Sequence, residues 1–163
     1  MIRKSVQSDL EQILELMHLC FGDRDTWITG DITNRFYLKF IDNKLVAMSG
    51  IVDCGYYTHP EIDWTCTHPD YRHNGYMQEL FNEMFKHYTG PIYCSCWRLP
   101  SKERINLYSI MKMFNFREII NVRVHWKAGH NCLKNENGGC VNYTGIGCEC
   151  YEDLYLRGGN SFN

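Results

Sequence analysis

The sequence lacks the features that mark several large protein classes. No apolar run in its 163 residues approaches the roughly 20 that a membrane-spanning helix needs. No membrane partner is therefore expected. Neither charge sign dominates: 17 Lys+Arg stand against 19 Asp+Glu, a formal net charge of -2. A protein that held nucleic acid mainly through phosphates would be basic, so no nucleic-acid partner is expected either. The amino terminus, MIRKSVQSDLEQ, turns polar at once, and no secretory signal is visible. Internal repeats, linkers and composition breaks are also missing.

What is present is ordinary for a globular chain: 44% hydrophobic and 22% charged residues. The length suits a single domain over 1–163. The exception is cysteine. An odd count of 9 argues against a fully paired disulfide framework. With no signal segment, a cytoplasmic location with reduced thiols is expected.

The pattern predicts alternating short elements. A strand over residues 1–5 precedes a capping box, Ser8 to Glu11, and a helix carrying Leu10, Ile13, Leu14, Met17 and Cys20. That helix should stop near Phe21-Gly22. A short second helix is expected within 23–33. Two strand-like runs, 35–41 and 44–52, flank Asp42-Asn43 and read as a hairpin, with Gly50 marking a bulge or a close backbone approach. A strand at 61–67 leads to a helix from about Gly75, whose apolar face is Met77, Leu80, Phe81, Met84, Phe85 and Tyr88. A strand at 92–97 puts Cys94 and Cys96 on one face. A helix from Pro100-Ser101 carries Ile105, Tyr108, Met111 and Phe114, and strands at 116–126 and 150–157 enclose a Gly/Asn/Cys-rich loop at about 127–149. Helices interrupting mostly antiparallel strands define an α+β (mixed α/β) fold.

The stretch Glu61–Leu80, EIDWTCTHPDYRHNGYMQEL, concentrates the chemistry. A strand enters a polar turn, then a helix that opens at glycine. A helix start presents free N–H groups and the positive dipole end, an anion site suited to pyrophosphate. An ordinary strand-to-helix turn is the competing reading. Alternation puts Glu61, Asp63 and Thr65 on one strand face.

His68-Pro69-Asp70-Tyr71-Arg72-His73-Asn74-Gly75-Tyr76-Met77 resembles motif A of the GNAT superfamily of acyl-CoA-dependent N-acetyltransferases. The family pattern is Arg/Gln-x-x-Gly-x-Gly/Ala after Pro-x-Tyr/Phe. Pro69, Tyr71, Arg72 and Gly75 match; His73 and Met77 depart. The order of elements also resembles the family, apart from the 127–149 insertion, with Met113-Phe114-Asn115-Phe116 standing for its Leu-Gly-Phe ending. The resemblance implies a central, mostly antiparallel twisted sheet flanked by helices. It implies acetyl-CoA as cosubstrate, its pyrophosphate cradled by backbone N–H groups of His73, Asn74, Gly75, Tyr76 and Met77, with Arg72 opening that loop. Cys66 and Thr67 would offer backbone groups to the pantetheine arm and the acetyl carbonyl.

The implied reaction is direct attack by a primary amine on the thioester. An ammonium substrate must lose a proton, and in the family a carboxylate of this strand often takes it, which nominates Glu61 and Asp63. Solvated strand-edge carboxylates are the alternative reading of both. The family's tyrosine acid falls at Met111, and Tyr108, one turn earlier, is the substitute candidate or else a core tyrosine. The acceptor would be a small-molecule or peptide amine, on a monomer or homodimer. A non-catalytic acyl-CoA sensor with a metal- or redox-responsive cysteine loop is the alternative function. Cys132, Cys140, Cys148 and Cys150 have C-x7-C-x7-C-x-C spacing, open to structural zinc, a disulfide or unpaired thiols.

Overall fold

The computed structural model describes residues 1–21, 28, 30–53, 58–98, 107–120 and 151–158. The chain forms two compact units, Met1–Gly90 and Pro91–Asn163. The predicted helix within 23–33 falls largely outside the described residues, as do the 127–149 loop and Cys132, Cys140, Cys148 and Cys150.

In the first unit, four strands pair antiparallel in chain order: β1 (Ile2–Lys4), β2 (Phe36–Ile41), β3 (Lys44–Val52) and β4 (Glu61–Thr67). Asp42 and Asn43 make the hairpin turn with φ of 47° and 63°. Two positive-φ residues match the right-handed twist of the strands they join, and short polar side chains tolerate that region best.

Helix α1 (Leu10–Phe21) starts differently from the expected Ser8–Glu11 box. A 3-10 turn, Gln7–Asp9, leads into it, and the Asp9 carboxylate accepts the Val6 N–H at 2.8 Å. Both Asp9 oxygens also accept from Arg3, each at 2.6 Å. Arg3 lies on β1, so the cap is chosen by a strand-to-helix contact that local spacing does not encode.

The sheet has two working faces. Phe36, Leu38, Phe40 and Met48 pack with Ile13, Leu16 and Met17 of α1 in one apolar cluster. Lys39, one residue on from Leu38, points the other way and pairs with Glu79 of α2 (Tyr76–His87) at 2.5 Å. The buried face of α2 is Met77, Leu80, Phe81 and Met84, the helical spacing read in the sequence. It ends one residue early, because Tyr88 turns extended ahead of Gly90-Pro91.

In the second unit, β5 (Ile92–Arg98), β7 (Tyr151–Arg157) and β6 (Phe116–Ile120) pair antiparallel in that order, with helix α3 at Tyr108–Met113. Arg98 donates to buried Asp153 across the β5–β7 ladder at 2.6 Å. Burial, with the charges of Glu118 and Asp153, pushes the Tyr155 phenol well above its usual range. The Cys94 and Cys96 sulfurs share a face, 3.4 Å apart.

Candidate cofactor site

The site grows from a defect in β4. Met48 faces Cys66 and Gly50 faces Asp63, so Trp64 and Thr65 together oppose the single residue Ser49. This is a β-bulge, and Trp64 carries its strain at φ 52°. The Asp63 carboxylate accepts the Trp64 N–H at 2.8 Å. The Trp64 ring meets Phe21 edge-on at 6.1 Å, beside the α1 cluster. Gly50 makes the tight approach expected of it: a Cβ there would stand 2.9 Å from the Phe36 ring.

The bulge corrects the simple alternation. Glu61, opposite Val52, and Asp63, opposite Gly50, remain on one face and are half-buried. Thr65 is switched to the other face, where its hydroxyl meets that of Ser49 at 2.8 Å. An inserted residue shifts a period of two by one. Cys66 is buried at 7% exposure among the α1 cluster.

After β4 the chain tightens. Pro69–Tyr71 form a 3-10 turn, with His68 Nδ1 accepting the Asp70 N–H at 3.2 Å. His73 then adopts φ 66° and Gly75 φ 78°. The Asn74 side chain donates to the Tyr71 and Arg72 carbonyls, each at 3.1 Å, which locks the loop. Arg72, His73, Asn74 and Gly75 are exposed, Tyr76 is half-buried and Met77 is buried. Met77 therefore spends its larger side chain on the core side of α2.

Gly75 is the N-cap of α2 and provides no side-chain acceptor. The first backbone bond at this helix start is Glu79 N–H to the Gly75 carbonyl, 3.0 Å. The N–H groups of Tyr76, Met77 and Gln78 precede it and have no place in the helix ladder. A Cβ built on Gly75 would meet nothing within 4 Å, so the space above the loop is open. Unpaired amides, a helix dipole and open space fit a pyrophosphate.

Arg72 folds back over the strand end, its Nε–H donating to the Thr67 carbonyl at 3.3 Å. Cys20 Sγ, from the last turn of α1, donates to the same carbonyl at 3.4 Å. Sequence reading gave Cys20 no role; its only signal is its place on the buried stripe of α1. Tyr108, the first residue of α3, is half-buried in the second unit. Among the described residues, no group of three His, Cys, Asp or Glu side chains is placed to hold a metal ion. No helix there is long and apolar enough to cross a membrane.

The profile of the Acetyltransferase (GNAT) family matches residues 7–112, and the chain belongs to that family. No curated protein matches the chain at the level of sequence. Among solved structures, a GNAT-family acetyltransferase from Bacillus cereus is 17% identical with a TM-score of 0.67, covering 96% of this chain and 95% of its own. The Escherichia coli ribosomal-protein-S18-alanine N-acetyltransferase is 12% identical with a TM-score of 0.66, covering 100% and 99%. An aminoglycoside 6'-N-acetyltransferase, solved with coenzyme A, is 11% identical with a TM-score of 0.66, covering 96% of each chain. At such identities the likeness is one of fold: mixed α/β, with a mostly antiparallel sheet.

Proposed function

We propose that the protein transfers an acetyl group from acetyl-CoA to a primary amine of a small molecule or peptide, in the cytoplasm. The carrying observation is the start of α2: amides of residues 76–78 left outside the helix ladder, beneath open space at Gly75. Family membership supports the acyl-CoA reading.

Acetyl-CoA supplies an activated thioester. The amides of residues 73–77 hold its pyrophosphate, and Arg72 adds a positive charge at the loop's opening. The Thr67 carbonyl already accepts from Cys20 and Arg72. That leaves strand amides, and groups of Cys66, for the pantetheine arm and the acetyl oxygen. An amide donor aimed at that oxygen favours charge as it develops there.

Glu61 and Asp63 share the face from which a base would take the amine proton, directly or through water. Asp63 has one oxygen on the bulge amide, so it is held in place, whereas Glu61 opens the strand. Tyr108 is retained as the acid candidate implied by the family resemblance.

The test is the unfolding midpoint with and without acetyl-CoA, with desulfo-CoA and ATP as controls. A ligand present at a hundred times its Kd adds about 2.7 kcal/mol to the native state. Acetyl-CoA and desulfo-CoA should both raise the midpoint, and CoA thiol should then appear when amines are supplied. No shift at millimolar acetyl-CoA would overturn the cofactor site. A shift without thiol release from any amine would favour the sensor.

A further inference from the structure

We infer that the cavity between strands β1–β3 and the last turns of α2 binds a small monocarboxylic acid with an apolar body, its carboxylate held by Lys4 and the Tyr37 hydroxyl. The cavity measures about 570 Å³. Pockets for small ligands run from roughly 300 to 1,000 Å³. It lies wholly within the first unit, at the far end of α2 from the cofactor loop. Glu83 and His87, which border it, come seven and eleven residues after Tyr76, roughly 10 and 16 Å along the helix axis. No step of the proposed acetyl transfer uses it.

The register of the sheet builds the polar end. Tyr37 precedes Lys39 by two residues, so both face α2, where Lys39 meets Glu79. Lys4 stands opposite Tyr37 in the β1–β2 ladder, with its Nζ 3.6 Å above the centre of the Tyr37 ring. Its hydrogen bond goes to the Asn34 carbonyl at 3.4 Å. Among the described residues, no carboxylate lies within ion-pair reach of it.

Tyr37 is 4% exposed, yet its hydroxyl has no hydrogen-bond partner among the described residues. A buried phenol ordinarily finds one. Burial, with the charge of Glu83, holds that phenol above its usual range, so it remains a proton donor at neutral pH. The cavity thus offers an ammonium and a hydroxyl on the ring beneath it. One carboxylate, with two accepting oxygens, serves both donors.

The rest of the lining sets the class of ligand. Ile2, Ile51 and Tyr88 supply apolar walls. Arg3 also borders the cavity, but its guanidinium is committed to Asp9. Glu83 is held by Lys86 at 2.8 Å and by His87 at 3.2 Å. A second anionic group would meet Glu83 and the carbonyl end of α2, both of which repel it. The fit is to one negative charge at the Lys4 end and an apolar remainder, which disfavours dicarboxylates and phosphate esters.

The experiment is titration calorimetry on the full chain, with phenylpropionate as the probe. It should bind at one site per chain. Phenylpropanamide, of the same shape without the charge, should bind about tenfold more weakly, and so should phenylsuccinate, which carries a second carboxylate. Lys4→Met should weaken phenylpropionate about tenfold. Tyr37→Phe, which keeps the ring beneath Lys4, should weaken it several-fold. Saturating desulfo-CoA should leave the Kd unchanged, because the two sites lie at opposite ends of α2. No binding at millimolar phenylpropionate, equal binding of the amide, or displacement by desulfo-CoA would overturn the assignment. The comparison with the amide uses the wild-type chain and so stands even if a variant fails to fold. Neither acetyl-CoA nor an acceptor amine is needed, so this result and that of the cofactor test stand apart.

Discussion

Helices α1 and α2 have the same length, 12 residues, and begin in opposite ways. The turn leading into α1 is closed by its own chain. Asp9 accepts the Val6 N–H and two donors of Arg3, and it is buried at 5% exposure. The start of α2 is left open. Gly75 brings no acceptor, adopts φ 78°, and has open space where a Cβ would stand. A capped start stabilises the fold, whereas an uncapped one keeps its donors for a ligand. Within one unit, then, one helix start is satisfied by its own chain and the other lacks a side-chain cap.

The largest effect should come from opening the closed start. Asp9→Ala removes a cap and the acceptor of a partly buried guanidinium, costing about 2 kcal/mol. Urea unfolding should show a lower midpoint, while titration calorimetry finds the acetyl-CoA affinity of the folded protein unchanged. A parallel loss of affinity would show that the α1 start also serves the ligand.

Next in size is a change at the open start. Gly75→Val forces a β-branched residue into the left-handed region, at roughly 1–2 kcal/mol. It should also weaken acetyl-CoA binding about tenfold, near 1.4 kcal/mol. Gly75→Asn, which tolerates that conformation, should keep most of the stability. If Gly75→Val binds acetyl-CoA as the wild type does, the contrast between the two helix starts has no functional content.

The smallest effect is one of pH. The Arg3 guanidinium, helped by the Val6 N–H, holds the Asp9 carboxyl below its usual range. A carboxyl depressed in the folded state stabilises fully above its unfolded value, about 3.9, and loses that contribution as pH falls through the folded value. The gap in urea midpoints between wild type and Asp9→Asn should therefore narrow below about pH 4. A gap that stays constant to about pH 3 would mean that the charge of Asp9 is not what closes α1.

Much of the candidate site was legible because it is local. Arg72, Gly75 and the strand before them sit in one continuous stretch, and glycine is the residue that a φ of 78° favours. The unexpected features depend on register. Gly50 hinted at the β4 irregularity, yet only the pairing of Met48 with Cys66 and Gly50 with Asp63 places the bulge at Trp64 and turns Thr65 away from Glu61 and Asp63. Cys20 illustrates the same limit. Its contact with the Thr67 carbonyl is made by packing α1 on the sheet, and no pattern of either segment encodes the other.

By itself, then, the sequence determined the Asp42-Asn43 hairpin, the buried stripe of α2 and the glycine-opened loop. Each follows from backbone torsion or from a period of two or 3.6 residues, properties of short segments. Tertiary structure alone decided that Asp9 rather than Ser8 closes α1, that β4 bulges at Trp64, and that Cys20 reaches the Thr67 carbonyl. Those outcomes are set by which strands pair and which helix packs where, and that depends on contacts between segments far apart in the chain.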